Sequence, residues 1–195
     1  MSDKASRARL ARAASRLGGA KGLPPLVLMT DDSRLTDPVT AASALPRASA
    51  VVVRTRSGLE PLARALLKIA RQRNLVVLIA NDAELAMRLG ADGVHLSESR
   101  SREARHWRAR FPRLTITCAA HSARALLGAQ ADAVFLSNVF ATQSHPGRAA
   151  LSPVRASLMA RQARLPVYAL GGIDARNAVR LSGFRGIAAI AALRP

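Results

Sequence analysis

The stretch "LVVLIANDAELAMRLGADGVHL", Leu75–Leu96, carries two hydrophobic periods. Leu75–Ala80 is a continuous apolar run rich in β-branched residues, which reads as a strand. Ala83–Leu89 then repeats its apolar positions at helical spacing, and Gly93–Leu96 is a second short apolar run. Strand, helix and strand in this order form one βα unit plus the start of the next.

The same alternation extends in both directions. Further strand-like runs lie at Leu26–Thr30, Ala50–Arg54, Leu114–Ala119, Ala133–Leu136, Val167–Leu170 and Gly186–Ile190, making eight in all. Helical patterns occupy Leu59–Arg73, Ser101–Phe111, Ala123–Gln130, Val154–Ala163 and Ala175–Leu181, with a weaker one at Val39–Leu45. Strand starts recur every 18 to 34 residues, and eight such units close into a (β/α)8 TIM barrel. A doubly wound sheet is the alternative, but it usually has fewer strands, and no G-x-G-x-x-G opens the first helix. The expected organisation is a basic N-terminal extension over residues 1–22, with an arginine-rich amphipathic helix at Ala5–Leu17, and a single barrel domain over 23–195. Only Ala191–Pro195 follow the eighth strand, too few for a full closing helix. The N-terminal helix either covers the place this leaves bare or frays.

Composition limits the function classes. The chain of 195 residues is 49% hydrophobic, long enough to bury one sizeable core. No apolar run reaches membrane-spanning length, and Met1–Gly22 has no apolar signal core, so a cytoplasmic protein is expected. A lone Cys118 excludes an internal disulfide and a cysteine zinc cluster. The formal net charge is +18, and 27 of the 30 basic residues are arginine. They are spread along the chain, and aromatics are only 3%, so the platforms that stack unpaired bases are missing. A solvated arginine surface is expected rather than a nucleic-acid site.

In a barrel of this kind the chemistry sits at the carboxyl ends of the strands. "TCAAHS", Thr117–Ser122, brings His121 to such an end, where it is either an acid/base group or a histidine held by hydrogen bonds. Gly171 and Gly172 in "ALGGIDARN" allow close approach of a phosphate to the main chain, with Asp174 a candidate helix cap.

Several blocks occur in a fixed order: "NDAELAMRLGADGVHLSES" (Asn81–Ser99), "AAHS" (Ala119–Ser122), "ADAVFLSNVFATQSH" (Ala131–His145), "ALGGI" (Ala169–Ile173) and "SGFRGIAAIAAL" (Ser182–Leu193). Together they resemble the thiamine phosphate synthase/thiazole tautomerase (TenI) family. The resemblance implies a barrel enzyme of thiamine biosynthesis, often a homodimer, acting on phosphorylated thiazole and aminopyrimidine molecules. Its synthases couple an aminopyrimidine pyrophosphate to a thiazole phosphate with Mg²⁺, and its tautomerases isomerise a thiazole carboxylate phosphate without metal.

Carried over residue by residue, the resemblance assigns pyrophosphate contacts to Arg54 and Arg56, although Val52 and Thr55 replace the family's glutamine and glutamate. Asn81 and Asp82 match its Asn-Asp pair one residue late. Arg100 stands where a second Mg²⁺ carboxylate is expected, which leaves Asp82 and Glu98 as candidate ligands of an altered metal site. Thr142, Ser144 and His145 fall on the thiazole-phosphate loop, where His145 replaces lysine. Ala191 replaces a phosphate-binding serine and leaves backbone N–H groups for that work. His121 matches the tautomerases' acid/base histidine, and Ala119 replaces a serine important in the synthases. Three functions follow: a synthase with a degraded Mg²⁺ site, a metal-free tautomerase-like enzyme using His121, or a non-catalytic barrel binding a phosphate ligand or nucleic acid.

Overall fold

All eight apolar runs form strands, because β-branched and small residues suit a sheet buried on both faces. The computed structural model describes residues 3–141 and 150–195. The strands are β1 (Leu26–Met29), β2 (Ala50–Val53), β3 (Val76–Ala80), β4 (Gly93–Leu96), β5 (Thr115–Ala120), β6 (Ala133–Leu136), β7 (Val167–Leu170) and β8 (Gly186–Ala189). Each pairs in parallel with its neighbour in sequence, and β8 pairs with β1 through Leu26 opposite Ile187, so the sheet is a closed barrel. The helices are α1 (Asp3–Ser15), α2 (Pro38–Ser43), α3 (Leu59–Arg73), α4 (Ala83–Leu89), α5 (Ala104–Arg110), α6 (Ala123–Leu127) and α7 (Pro153–Gln162).

Carboxylates set part of the register. Asp92 Oδ2 accepts from the Val77 amide at 2.8 Å, and Asp132 Oδ2 accepts from the Ile116 amide at 2.7 Å, each at the amino end of the next strand's neighbour. Inside the barrel, Phe135 stacks on Tyr168 with centroids 5.2 Å apart, and His95 meets the Phe135 edge at 4.8 Å. Gly186 makes room for this column, since a Cβ there would overlap the Tyr168 ring and lie 2.7 Å from the Pro25 carbonyl. The Tyr168 hydroxyl donates to the Leu23 carbonyl at 2.6 Å and closes the amino-terminal end.

Two elements differ from the sequence expectation. The helix expected over Ala175–Leu181 is reduced to a 3₁₀ turn, Ala178–Arg180. Asp174 Oδ1 accepts from the amides of Arg176 and Asn177 at 2.7 and 2.9 Å, and Asn177 Oδ1 accepts from the Asp174 amide at 2.9 Å, a reciprocal cap that bears out Asp174 as the helix cap although only this short turn follows it. The segment expected as Ser101–Phe111 opens earlier, as a 3₁₀ turn over Glu98–Glu103 that runs into α5. After β8 there is a 3₁₀ turn, Ala191–Leu193. Helix α1 covers the position a closing helix would take. It packs near β1, β8 and the last two 3₁₀ turns, burying Leu10 and Ala14 completely, so it is docked rather than frayed. No helix among the described residues is long and apolar enough to cross a membrane.

Candidate active site

Parallel closure places all eight carboxyl ends on one face, and there a cavity of about 580 Å³ opens. Arg54, Asn81, Glu98, His121, Gly171, Gly172 and Ala191 all line it. Arg56 does not reach it. Its amide donates to Asp32 Oδ2 at 2.8 Å, and its side chain borders a separate shallow cleft with Asp31 and Asp32. Asp82 is also absent from the wall. Thr142, Ser144 and His145 lie outside the described residues.

The β1–β2 side is cationic. Thr30 Oγ1 donates to the Arg54 carbonyl and accepts from its amide at 2.6 and 2.7 Å, pinning the end of β2. Asp31 accepts from Arg34 Nε at 3.1 Å and Nη2 at 2.7 Å, and it also accepts from Arg54. The Arg34 guanidinium, helped by Ser33 and Arg54, holds the Asp31 carboxyl well below the usual carboxylate range against the opposing effect of burial. Arg194, beyond β8, donates from Nε to the Arg34 carbonyl at 2.7 Å and joins the same wall.

The β3–β5 side is a polar network. Asn81, in the left-handed region at φ 56°, accepts at Oδ1 from the Ser97 amide at 2.7 Å. Its carbonyl accepts from Arg100 Nη1 at 2.6 Å, while Arg100 pairs with Glu103 through Nε and Nη2 at 2.7 and 2.8 Å. Glu98 Oε2 accepts from the His121 amide at 2.5 Å and lies 2.8 Å from its Nδ1. Deeper in, His95 is buried with Nδ1 2.9 Å from Thr117 Oγ1. Burial, with the Arg54 charge adding to it, pushes its pKa down to about 3, so it is neutral at physiological pH. Cys118 is buried behind the wall, where burial first and the Glu98 charge second push its thiol up to about 11, which makes it a poor nucleophile.

The β6–β8 side combines aliphatic side chains such as Leu170, Ile173 and Ile190 with the main chain of Gly171 and Gly172. The Gly171 carbonyl accepts from the Phe140 amide at 3.1 Å, and the Gly172 carbonyl accepts from Asn177 Nδ2 at 2.7 Å. Gly172 has φ 63°, and a Cβ there would overlap the Ala141 carbonyl and lie 2.9 Å from Phe140 Cβ. Asn138 is 7% exposed and lines the cavity, and its Nδ2 is buried with no hydrogen-bond partner among the described residues. Sequence reasoning had not singled out Arg34, Arg194, Ser97 or Asn138. Asn138 could have been found as an amide two residues beyond the end of an apolar strand, at the face where the chemistry gathers.

The ordered blocks, the barrel and this shared mouth agree with a direct comparison, in which the family described as thiamine monophosphate synthase matches residues 26–193. The chain belongs to that family. A thiamine-phosphate synthase from Chlorobium luteolum is 32% identical over 182 residues, covering 87% of this chain and 85% of the relative. Another from Geobacillus thermodenitrificans is 31% identical over 141 residues, covering 69% of this chain and 63% of the relative. Among solved structures, a thiamine phosphate pyrophosphorylase from Pyrococcus furiosus superposes with a TM-score of 0.67 at 22% identity, covering 85% of this chain and 84% of that one, a likeness of fold. The family is one of enzymes, and its role lies in thiamine biosynthesis.

Set beside the Mg²⁺ expected of thiamine monophosphate synthases, the residues at the corresponding strand ends do not fit. Mg²⁺ keeps several of its waters and is held by one or two carboxylates together with substrate phosphates, so those one or two carboxylates must be free to face the cavity. Asp82 Oδ1 instead caps α4 by accepting from the Leu85 amide at 2.8 Å, and Glu98 is committed to His121. Arg100 places a guanidinium where a carboxylate would be required. No cluster of three or more His, Cys, Asp or Glu able to hold a metal exists among the described residues. In this structure Asp82 acts as a helix cap and Glu98 as the partner of His121.

Proposed function

We propose that the protein acts in thiamine biosynthesis on a phosphorylated thiazole, and that its reaction is a metal-free proton transfer on that ring carried by His121. The observation that carries this reading is the placement of His121 in the same cavity as the Gly171–Gly172 turn and the arginine wall. One part of such a cavity suits a phosphate, and another offers a group that can take up and return a proton. The phosphate contacts belong to the main chain around Gly171, Gly172 and Ala191, with Thr142, Ser144 and His145 assigned by the family resemblance. Asn138 supplies an amide donor between these contacts and His121. Arg54, with Arg34 and Arg194, serves a second anionic group, the thiazole carboxylate in this reaction.

A second reading, coupling of an aminopyrimidine pyrophosphate to thiazole phosphate, is favoured by the name thiamine-phosphate synthase shared by the relatives. Under it, Arg54 and Asn81 contact the pyrimidine pyrophosphate. The two readings separate in one assay: purified protein with thiazole carboxylate phosphate alone, and with both coupling substrates in the presence of Mg²⁺ or of a chelator. Isomerisation that survives chelation supports the first. Coupling that requires Mg²⁺, without isomerisation, replaces it with the second. The resemblance also carries a homodimer, read directly by sedimentation, and a cytoplasmic location, read by fractionation.

A further inference from the structure

The positions where the family's metal ligands are expected are not idle in this chain. Asn81 holds the start of the 3₁₀ turn by accepting from the Ser97 amide at 2.7 Å, and Arg100 ties the same turn to the Asn81 carbonyl at 2.6 Å. Glu98 lies between these two anchors, next to Ser97. Its Oε2 accepts from the His121 amide at 2.5 Å and lies 2.8 Å from His121 Nδ1, so one carboxylate oxygen grips the main chain and the ring of the same residue. An acceptor-only carboxylate facing Nδ1 selects the neutral ring with its proton on Nδ1. Nε2 is then the unprotonated nitrogen, and it belongs to a ring that lines the cavity.

We propose that Glu98 is a positioning residue that fixes His121 as the Nδ1–H tautomer, leaving Nε2 as the base toward the cavity, and that Asn81 and Arg100 hold Glu98 in place for this task. The positions where metal ligands are expected thus form a scaffold for a histidine base. The inference rests on the reading of His121 as proton carrier for its catalytic meaning, while its structural content is independent of substrate.

The test reads the ring nitrogens directly. Full-length ¹⁵N-labelled protein is examined by long-range ¹H–¹⁵N correlation with the imidazoles neutral, as wild type, Glu98→Ala and Glu98→Gln. The wild-type His121 ring is expected to be protonated at Nδ1, Glu98→Ala to move the proton to Nε2, and Glu98→Gln to stay with wild type because its amide oxygen still accepts. A wild-type ring protonated at Nε2 overturns the inference. So does a tautomer unmoved in a Glu98→Ala protein of wild-type circular dichroism. Should Glu98→Ala not fold, Glu98→Asp, whose carboxylate is withdrawn by one methylene, is read against the same two outcomes. In the isomerisation assay, Glu98→Ala is expected to lower kcat at least about tenfold with KM little changed, as for loss of an oriented base. An Nδ1–H ring in a protein without isomerase turnover upholds the positioning role and removes the reaction assigned to it.

Discussion

At the ends of β3, β4 and β5 the cavity wall is held by side-chain hydrogen bonds, whereas in the turn after β7, at Gly172, it is main chain packed too closely to admit a side chain. The Asn81 side chain holds the Ser97 amide, and the Glu98 carboxylate holds the His121 amide and ring, through hydrogen bonds that single substitutions would remove. Gly172 meets the Phe140–Ala141 backbone through contact alone. The difference teaches where fold and chemistry are separable. On the side-chain half, a replacement of similar size can remove a function and leave the barrel. On the main-chain half, the shape that would hold a phosphate is the shape of the fold, so both fail together.

The strongest way to break this contrast is Gly172→Ala. The added Cβ overlaps the Ala141 carbonyl at a φ of 63°, which combines overpacking with left-handed backbone strain. A loss of roughly 2–5 kcal/mol in urea unfolding is expected, with loss of thiazole phosphate affinity. A variant with wild-type unfolding and affinity would show that the main-chain half is not the rigid one.

Next in size is His121→Asn on the opposite half. Turnover should fall about a hundredfold, equivalent to about 2.7 kcal/mol of barrier, with thermal midpoint and thiazole phosphate affinity near wild type. Unchanged turnover per folded molecule would leave His121 a structural residue.

A third test separates the buried from the accessible histidine of that half. His95 has its pKa depressed from the ordinary 6.5 to about 3, so above 6.5 it is neutral in both folded and unfolded chains and contributes no pH dependence. Below 6.5 the unfolded chain takes up a proton that the native state refuses, and stability falls as pH falls toward 3. Lowering the pH from 7 to 5 should remove about 2 kcal/mol through this residue, at about 1.4 kcal/mol per pH unit below 6.5. The contribution of Asp31, whose folded pKa is also depressed, is lost only in a more acidic window, below its ordinary 3.8. A flat denaturation midpoint between pH 7 and 5 would contradict the neutral burial of His95.

The smallest expected effect is at Asp82. Asp82→Ala removes the α4 cap and should cost about 1 kcal/mol. Because that carboxylate is a cap, Mg²⁺ should leave the melting temperature of wild type and variant equally unmoved, since only a ligand that binds the native state raises it. A Mg²⁺-dependent rise abolished by Asp82→Ala would restore the metal reading.

Much of the barrel was legible because its information is local. The alternation of apolar strands and helical spacings is written within a few residues of each position, and α3 and α4 fall on the boundaries their periods predict, Leu59–Arg73 and Ala83–Leu89. The segment expected as a helix at Ala175–Leu181 does begin with the reciprocal cap between Asp174 and Asn177, but it stops after the 3₁₀ turn Ala178–Arg180, a length that periodicity does not register. The site was legible only as a set of residue types at strand ends. His121, Arg54, Asn81 and the glycine pair do share one cavity, but Arg56 faces another cleft, and Arg34 and Arg194 gave no period or spacing to mark them.

By itself, then, the sequence determined the order and parallel direction of the eight strands, and with them the face on which chemistry would gather. Only the tertiary structure decided what each polar residue on that face is for. Glu98 and His121 are 23 residues apart, and their pairing depends on the register of β4 and β5 and on the 3₁₀ turn held by Asn81 and Arg100. Strand and helix periods arise from backbone geometry that each residue feels locally, while the partner of a carboxylate is set by which strand end closes against which, and no short-range pattern carries that.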